Sequence, residues 1–291
     1  MLQGSHIDSD VIDTMAMTAP RTANDNTGFS DVDRSGRSDA LVEYLRVLAR
    51  AVDQAREIGY AQLCIREGSH ILDVGCGAGE VCIELARRVG PRGRVVGVDV
   101  SADMIEQARC AADGAGAAVE LHVGSILALP FLDSTFDAVR AERVLQHLDD
   151  PDAALRELVR VTRPGGRIQV SDPDHGQATL AFDEVAHRQT FEKLRTVFLG
   201  MAKNPHSGSR LRPMFARAEL VDIEHATTAI ALEFPVFRIV FLLESVYAKA
   251  IAGGALTAGE ARAFTEVLEA RHRAGSFYAC AINHSVGGTK H

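Results

Sequence analysis

Several short stretches of the 291-residue chain hold residues whose type and spacing bear on chemistry. The first runs Asp73-Val74-Gly75-Cys76-Gly77-Ala78-Gly79-Glu80, where an apolar run ends in an acid and three glycines follow at alternate positions. Glycines this close to a strand end let a ligand approach backbone N–H groups. A dinucleotide loop spaces its glycines G-x-G-x-x-G, the last one allowing helix–strand packing. Here Glu80 holds that last place. A carboxylate in the first helical turn repels a pyrophosphate, and no Gly-Lys-Ser/Thr follows, so a nicotinamide dinucleotide and a Walker loop are both disfavoured. A nucleoside cofactor with a positive charge or without phosphate suits the loop.

Asp99 ends the next apolar run. An acid there accepts hydrogen bonds from two ribose hydroxyls, its alternative being a helix-cap or turn role. Further on, Arg140, Glu142 and His147 cluster in "RAERVLQHLDD". His147 titrates near neutrality and suits proton removal from an O–H, N–H or activated C–H group; a structural place at a strand–helix corner is the other reading. Asp172, Asp174 and His175 form a second polar group. Their carboxylates could bear on a metal, but Asp-Pro-Asp-His also reads as a turn, and no metal is expected.

These residues need a scaffold, and the hydrophobic pattern supplies one. Strands are expected at His70–Val74, Arg94–Val98, Val119–Val123, Phe136–Ala141 and Arg167–Ser171, with helices at Glu80–Val89, Ala102–Ala112 and Ala153–Thr162. Short apolar strands alternating with amphipathic helices imply parallel pairing with right-handed crossovers, hence a doubly wound α/β sheet. Ser101 and Asp150-Pro151 mark helix starts, and Pro164-Gly165-Gly166 marks an end. Before this core, residues 1–37 read as a polar tail and 38–66 as two helical pieces, the first around Leu41, Tyr44 and Leu48. After it, Phe182–Met201, Phe234–Ile251 and Ala258–Arg273 read as helices, "NPHSGSRLRP" as a loop, and Leu220–Leu232 and Phe277–Ser285 as strands.

Composition narrows the function classes. The formal net charge is −8 with no Lys/Arg-rich run, which argues against a nucleic-acid partner. The most apolar segment is interrupted by Arg238, Glu244 and Lys249, so no membrane span is expected. Five scattered cysteines suggest neither a disulfide framework nor a zinc site, and no signal peptide is evident. A reduced, cytoplasmic setting is the default expectation.

Five segments in register then point to a family. "ILDVGCGAGE", "VVGVDVSADMIEQAR", "VGSILALPFLDSTFDAVRAERVLQHL" (which spans two motifs) and "LRELVRVTRPGGRIQVSD" resemble, in order and spacing, the motifs of class I S-adenosylmethionine (SAM)-dependent methyltransferases. The likeness covers about Glu67 to Ser171, with a weaker trace at "LRPMFARAELVDIE", and is nearest to the ubiquinone/menaquinone-type and natural-product small-molecule enzymes. It implies a Rossmann-like sheet of seven strands, the last antiparallel, with helical lid insertions at about 180–212 and 234–273 in a domain over 67–291, joined by the helices of 38–66. It implies SAM as cofactor, S-adenosylhomocysteine as product, and methylation at O, N or C of a small hydrophobic acceptor; whether the chain forms a homo-oligomer stays open. By the same resemblance Gly75, Gly77 and Gly79 line the methionine and ribose portion, and Asp73 reaches the cofactor's amino group through water. Asp99, with Val100 beside it, binds the ribose, and Met104 packs on adenine. Ser125 stands where the family commonly has Asp, Ile126 meets the adenine, and Arg140 points to the SAM carboxylate. Glu142 and His147 are the candidate catalytic groups. The alternative is a protein of this fold that keeps SAM as a structural element while binding or cyclising a small molecule.

Overall fold

The computed structural model describes residues 55–291; the tail and the helix expected around Leu41 lie outside the described residues. A helix over 55–63 (α1) leads into β1 (His70–Val74), α2 (Glu80–Val89), β2 (Arg94–Asp99), α3 (Ala102–Ala115), β3 (Val119–Val123), β4 (Phe136–Glu142), α4 (Pro151–Val161) and β5 (Thr162–Leu180). There follow α5 (Val185–Leu199), α6 (Ser207–Arg217), β6 (Val221–Leu232), α7 (Phe234–Val240), α8 (Leu243–Ala252), α9 (Ala258–Arg273) and β7 (Ala279–Thr289). The strands make one sheet in the order β3-β2-β1-β4-β5-β7-β6. β1 to β5 pair in parallel, and β7 lies antiparallel between β5 and β6, so the expected doubly wound sheet with an antiparallel last strand is the fold.

The alternation of the strands explains the two covered faces. Ile71 and Val95 pack with Tyr60, Val81, Leu85 and Ile105 on one side, while Leu72 and Val96 pack with Phe136, Leu155, Leu158 and Phe215 on the other. A sheet buried on both faces needs long apolar runs in its strands, and Ile71-Leu72 and Val95-Val96 supply one residue to each face. The helix starts follow capping chemistry. Ser101 Oγ accepts the Met104 N–H at 3.1 Å, and Asp150 Oδ1 accepts the Ala153 N–H at 2.8 Å with Pro151 in the first turn.

Three features depart from the expectations. The stretch 204–213, expected as a loop, instead enters α6 from Ser207 on, with Leu211 and Phe215 fully buried against the sheet despite Pro213 inside the helix. Burial of that apolar face outweighs poor local propensity. The segment expected as one helix from Phe234 to Ile251 breaks into α7 and α8 at Leu242, whose φ is +50°. And β5 runs well past Ser171, pairing antiparallel with β7 out to Leu180 through an irregularity between Asp174 and Thr179. Over this extension α5 and α7–α9 build a third core rich in phenylalanine, with Phe198 and Phe241 at 4.5 Å and Phe237 stacked on Phe241 at 5.1 Å. Among the described residues no helix is long and apolar enough to cross a membrane.

Gly79 has a structural task. It opens α2 at φ +81°, and a Cβ there would stand 2.8 Å from the Ala108 Cβ of α3. Gly79→Ala is therefore expected to lower unfolding free energy by about 2 kcal/mol, from a left-handed backbone combined with overpacking. A urea titration with an unchanged m-value checks this.

Candidate active site

A cavity of about 410 Å³ lies at the carboxyl ends of the parallel strands, where open α/β sheets bind ligands. Followed in sheet order, its lining passes from Ser125 and Ile126 after β3, through Asp99, Val100 and Met104 after β2, to Asp73, Gly75 and Gly77 at β1. It continues through Arg140, Glu142 and His147 at β4 to Pro173 and His175 on β5, and ends at Ile230, Leu232 and Ile282 with Phe198, Val240 and Leu242 above them. Thus the residues expected to hold the cofactor or act in catalysis line one space, except Gly79, which packs against α3; Asp172 and Asp174 lie outside the lining.

The glycine loop is built for close approach. Gly75 sits at φ +72°, where any Cβ would run into Val144 Cγ2. The Gly75 and Cys76 N–H groups donate to Val98 O at 2.7 and 3.1 Å, which ties the loop to β2. Asp99 is fixed from both sides, accepting the Gly77 N–H at 2.9 Å and the Ser101 N–H at 3.0 Å. Ser125 Oγ accepts the Leu127 N–H at 3.2 Å, closing its own turn.

Beneath the loop lies a charged floor. Arg140, only 2% exposed, donates to Asp73 at 3.2 Å, to Glu142 at 2.5 Å and to Gln169 at 3.5 Å. Its guanidinium is committed to protein groups, so it supports the site rather than reaching a cofactor carboxylate. Asp73 receives Arg140 on one oxygen and the Cys82 thiol at 3.5 Å on the other, and burial raises its pKa. Glu142 also accepts from Arg56 at 3.3 Å. Burial opposes its ionisation, but Arg56, Arg140 and Arg143 outweigh that and hold the carboxyl down at about 2. A carboxylate so held is a fixed anion and a poor proton acceptor, which corrects the catalytic role expected of Glu142.

His147 ends a 3-10 turn at Leu145–His147, and burial, with the charges of His175, Arg143 and Lys203, pushes its pKa down to about 4. The second polar group comes apart in space. Asp172 accepts from Ser207 Oγ at 2.5 Å and the Gln146 N–H at 3.1 Å; Asp174 pairs with His206 at 2.9 Å; His175 bonds Gln146 Oε1 at 2.8 Å and packs edge-on to Phe198. Among the described residues no group of three or more His, Cys, Asp or Glu is placed to hold a metal ion. The sequence reading missed Arg56, Arg143, Gln146 and Asn283, whose places depend on long-range packing; the apolar wall at Phe198, Val240 and Leu242 was signalled only by an excess of large side chains.

The donor set fits a SAM-like group. A fixed acid at the tip of β2, a left-handed glycine loop and a buried Met104 offer ribose, backbone and adenine contacts, while Glu80 makes the entrance unfavourable to phosphate.

Asp172 has a consequence for stability. Full burial pushes its pKa up to about 7. A raised folded-state value means stability that is present in acid is lost as pH rises from the unfolded value, about 3.9, through 7. His147 and His175, both lowered to about 4 chiefly by burial, act in the opposite sense between 4 and about 6.5. Asp172→Asn, which mimics the protonated acid, is expected to gain Tm relative to wild type at pH 8 over pH 5. Scanning calorimetry at both pH values checks the sign.

The chain was compared with known proteins. A family model described as a methyltransferase domain matches residues 65–219. A demethylmenaquinone methyltransferase of Symbiobacterium thermophilum is 40% identical over 110 residues, covering 37% of this chain and 44% of that protein. An Aspergillus sclerotiorum O-methyltransferase is 39% identical over 119 residues, covering 40% and 44%. The chain spans about half the length of the curated relatives it matches. Among solved structures, the Bacillus subtilis YcgJ protein superposes with a TM-score of 0.55 at 21% identity, covering 83% of this chain and 98% of that one, a likeness of fold. With the glycine loop, the β2 acid and the seven-stranded sheet in place, the matched domain shows that this chain belongs to the class I SAM-dependent methyltransferases.

Proposed function

We propose that the protein transfers a methyl group from SAM to a small, largely apolar metabolite. The observation that carries the reading is a single cavity whose β1–β3 side presents Asp99 held by the Gly77 and Ser101 amides, and whose far side is an apolar chamber of Phe198, Ile230, Leu232, Val240 and Leu242. Gly75 and Gly77, Asp99, Met104 and Ile126 would hold the cofactor, which supplies a sulfonium-activated methyl when bound. Such a group needs little activation. The protein's task is to hold a nucleophile in line and exclude water while charge is lost. The chamber under α5, α7 and α8 serves both ends, acting as a lid of apolar side chains around the acceptor.

His147 lines the junction between the two halves and, with its pKa near 4, is neutral at physiological pH. It therefore presents a lone pair to an acceptor proton without prior deprotonation, while its low basicity limits it to a modest share of the rate. O-, N- and C-methylation are all compatible with this arrangement.

Calorimetry with SAM, S-adenosylhomocysteine and NADH tests the cofactor. Micromolar binding of the first two is expected, weakened at least about tenfold in Asp99→Ala by loss of charge-assisted hydrogen bonds. His147→Gln should leave both affinities within about twofold and lower turnover by about 10- to 100-fold, at the low end of general-base contributions. Binding of NADH in preference to SAM would overturn the reading.

A further inference from the structure

Three arginines line the cavity, Arg56, Arg140 and Arg143. Arg56 and Arg140 are matched by carboxylates: Glu142 accepts from both, and Asp73 accepts from Arg140. Two cations thus meet two anions at the floor. Asp99, further along the lining, is tied to backbone amides at the end of β2.

Arg143 adds its charge near Glu142 but, among the described residues, makes no ion pair of its own. Its Nη1 is buried and has no hydrogen-bond partner among the described residues. A buried guanidinium nitrogen without an acceptor is costly, and native structures rarely leave one so without a use. The backbone gives a second, independent sign. Arg143 has φ +57°, a left-handed conformation that a long side chain seldom adopts, and its N–H is fixed to Ser171 O at 2.7 Å. Strain of this kind persists where the surrounding structure imposes it, and it gathers at ligand sites. The twist falls directly after β4, between the charged floor and the chamber. The polar lining on that side comes from Gln146, His147, His175 and Asn283, of which Gln146 and His175 bond each other at 2.8 Å. The rest of that side is apolar.

We propose that Arg143 receives an anionic oxygen of the acceptor, so that the acceptor is an apolar molecule carrying a carboxylate or another ionised oxygen. This rests on the methyl-transfer reading above. A guanidinium forks onto such an oxygen pair in a planar, charge-assisted contact, and the apolar walls strengthen it by keeping water away. The same carboxylate chemistry exists at the methionine end of the cofactor, and the experiment separates the two sources.

Octanoate and octanamide serve as probes, equal in apolar length and different in charge. Their affinities are measured by calorimetry on the protein alone and on the protein saturated with S-adenosylhomocysteine, for wild type, Arg143→Lys and Arg143→Gln. Octanoate is expected to bind wild type at least ten times more tightly than octanamide. Arg143→Gln should erase that preference and Arg143→Lys keep part of it, with S-adenosylhomocysteine affinity unchanged within twofold in both. Equal affinity of the two probes for wild type overturns the proposal and needs no variant. So does a preference that survives in Arg143→Gln. A tenfold loss of S-adenosylhomocysteine affinity with the probe preference intact also overturns it, and gives the guanidinium to the cofactor's carboxylate. Failure of wild type to bind S-adenosylhomocysteine defeats the methyl-transfer reading instead, and the probe preference of the unloaded protein still decides what Arg143 holds.

Discussion

A guanidinium buried in the middle of a sheet dictates much of what surrounds it. Removing the Arg140 charge from water is expensive, and only several well-placed acceptors offset the loss. Asp73 and Gln169 are its cross-strand partners on β1 and β4–β5, so one rung of the sheet carries acid, guanidinium and amide in line. Glu142 completes the pair from the same strand and recruits Arg56, which anchors the end of α1 at the site. From Gln169 the chain of polar contacts continues through Ser285 on β7 to Gln62 on α1, at 2.9 and 2.7 Å. One buried cation thus sits in a chain of polar contacts that links β1, β4, β5 and β7 to the first described helix.

Above that floor the cavity divides by the kind of surface it offers. Its β1–β3 side is made largely of backbone amides, glycines and one clamped acid, which hold a fixed shape and a fixed polarity. Its other side is made of side chains from α5, β6, α7 and β7, which contribute area and dryness. Burial there does chemical work as well as structural work. It lowers the basicity of His147 and His175 and raises that of Asp172, so the same exclusion of water that favours loss of charge also sets which groups are neutral.

How much of this was legible beforehand depended on sequence distance. The strand–helix alternation, the Ser101 and Asp150 caps and the acid at the tip of β2 are local signals, and each appears where its residues place it. α6 was not legible, because Pro213 and the Ser-Gly-Ser before it read as a loop until the sheet face that buries Leu211 and Phe215 exists. Glu142 and Arg140 were read as reaching toward ligand. Their true partners, Asp73 and Arg56, lie 67 and 86 residues away, too far for spacing to show. Arg143 gave no signal at all, since neither its φ nor its buried nitrogen has a counterpart in a string of letters.

The matched domain ends at residue 219, before most of the apolar half of the cavity, with Phe198 of that half still inside it. Asp73, Gly75, Gly77, Asp99 and Ser125 stand inside it, whereas Ile230, Leu232, Val240, Leu242 and Ile282 stand beyond it. The prolonged β5 is the beam that joins them, one end in the parallel sheet and the other under the phenylalanine-rich canopy. Substitutions beyond residue 219 can therefore reshape the apolar end of the cavity without touching the glycine loop or Asp99.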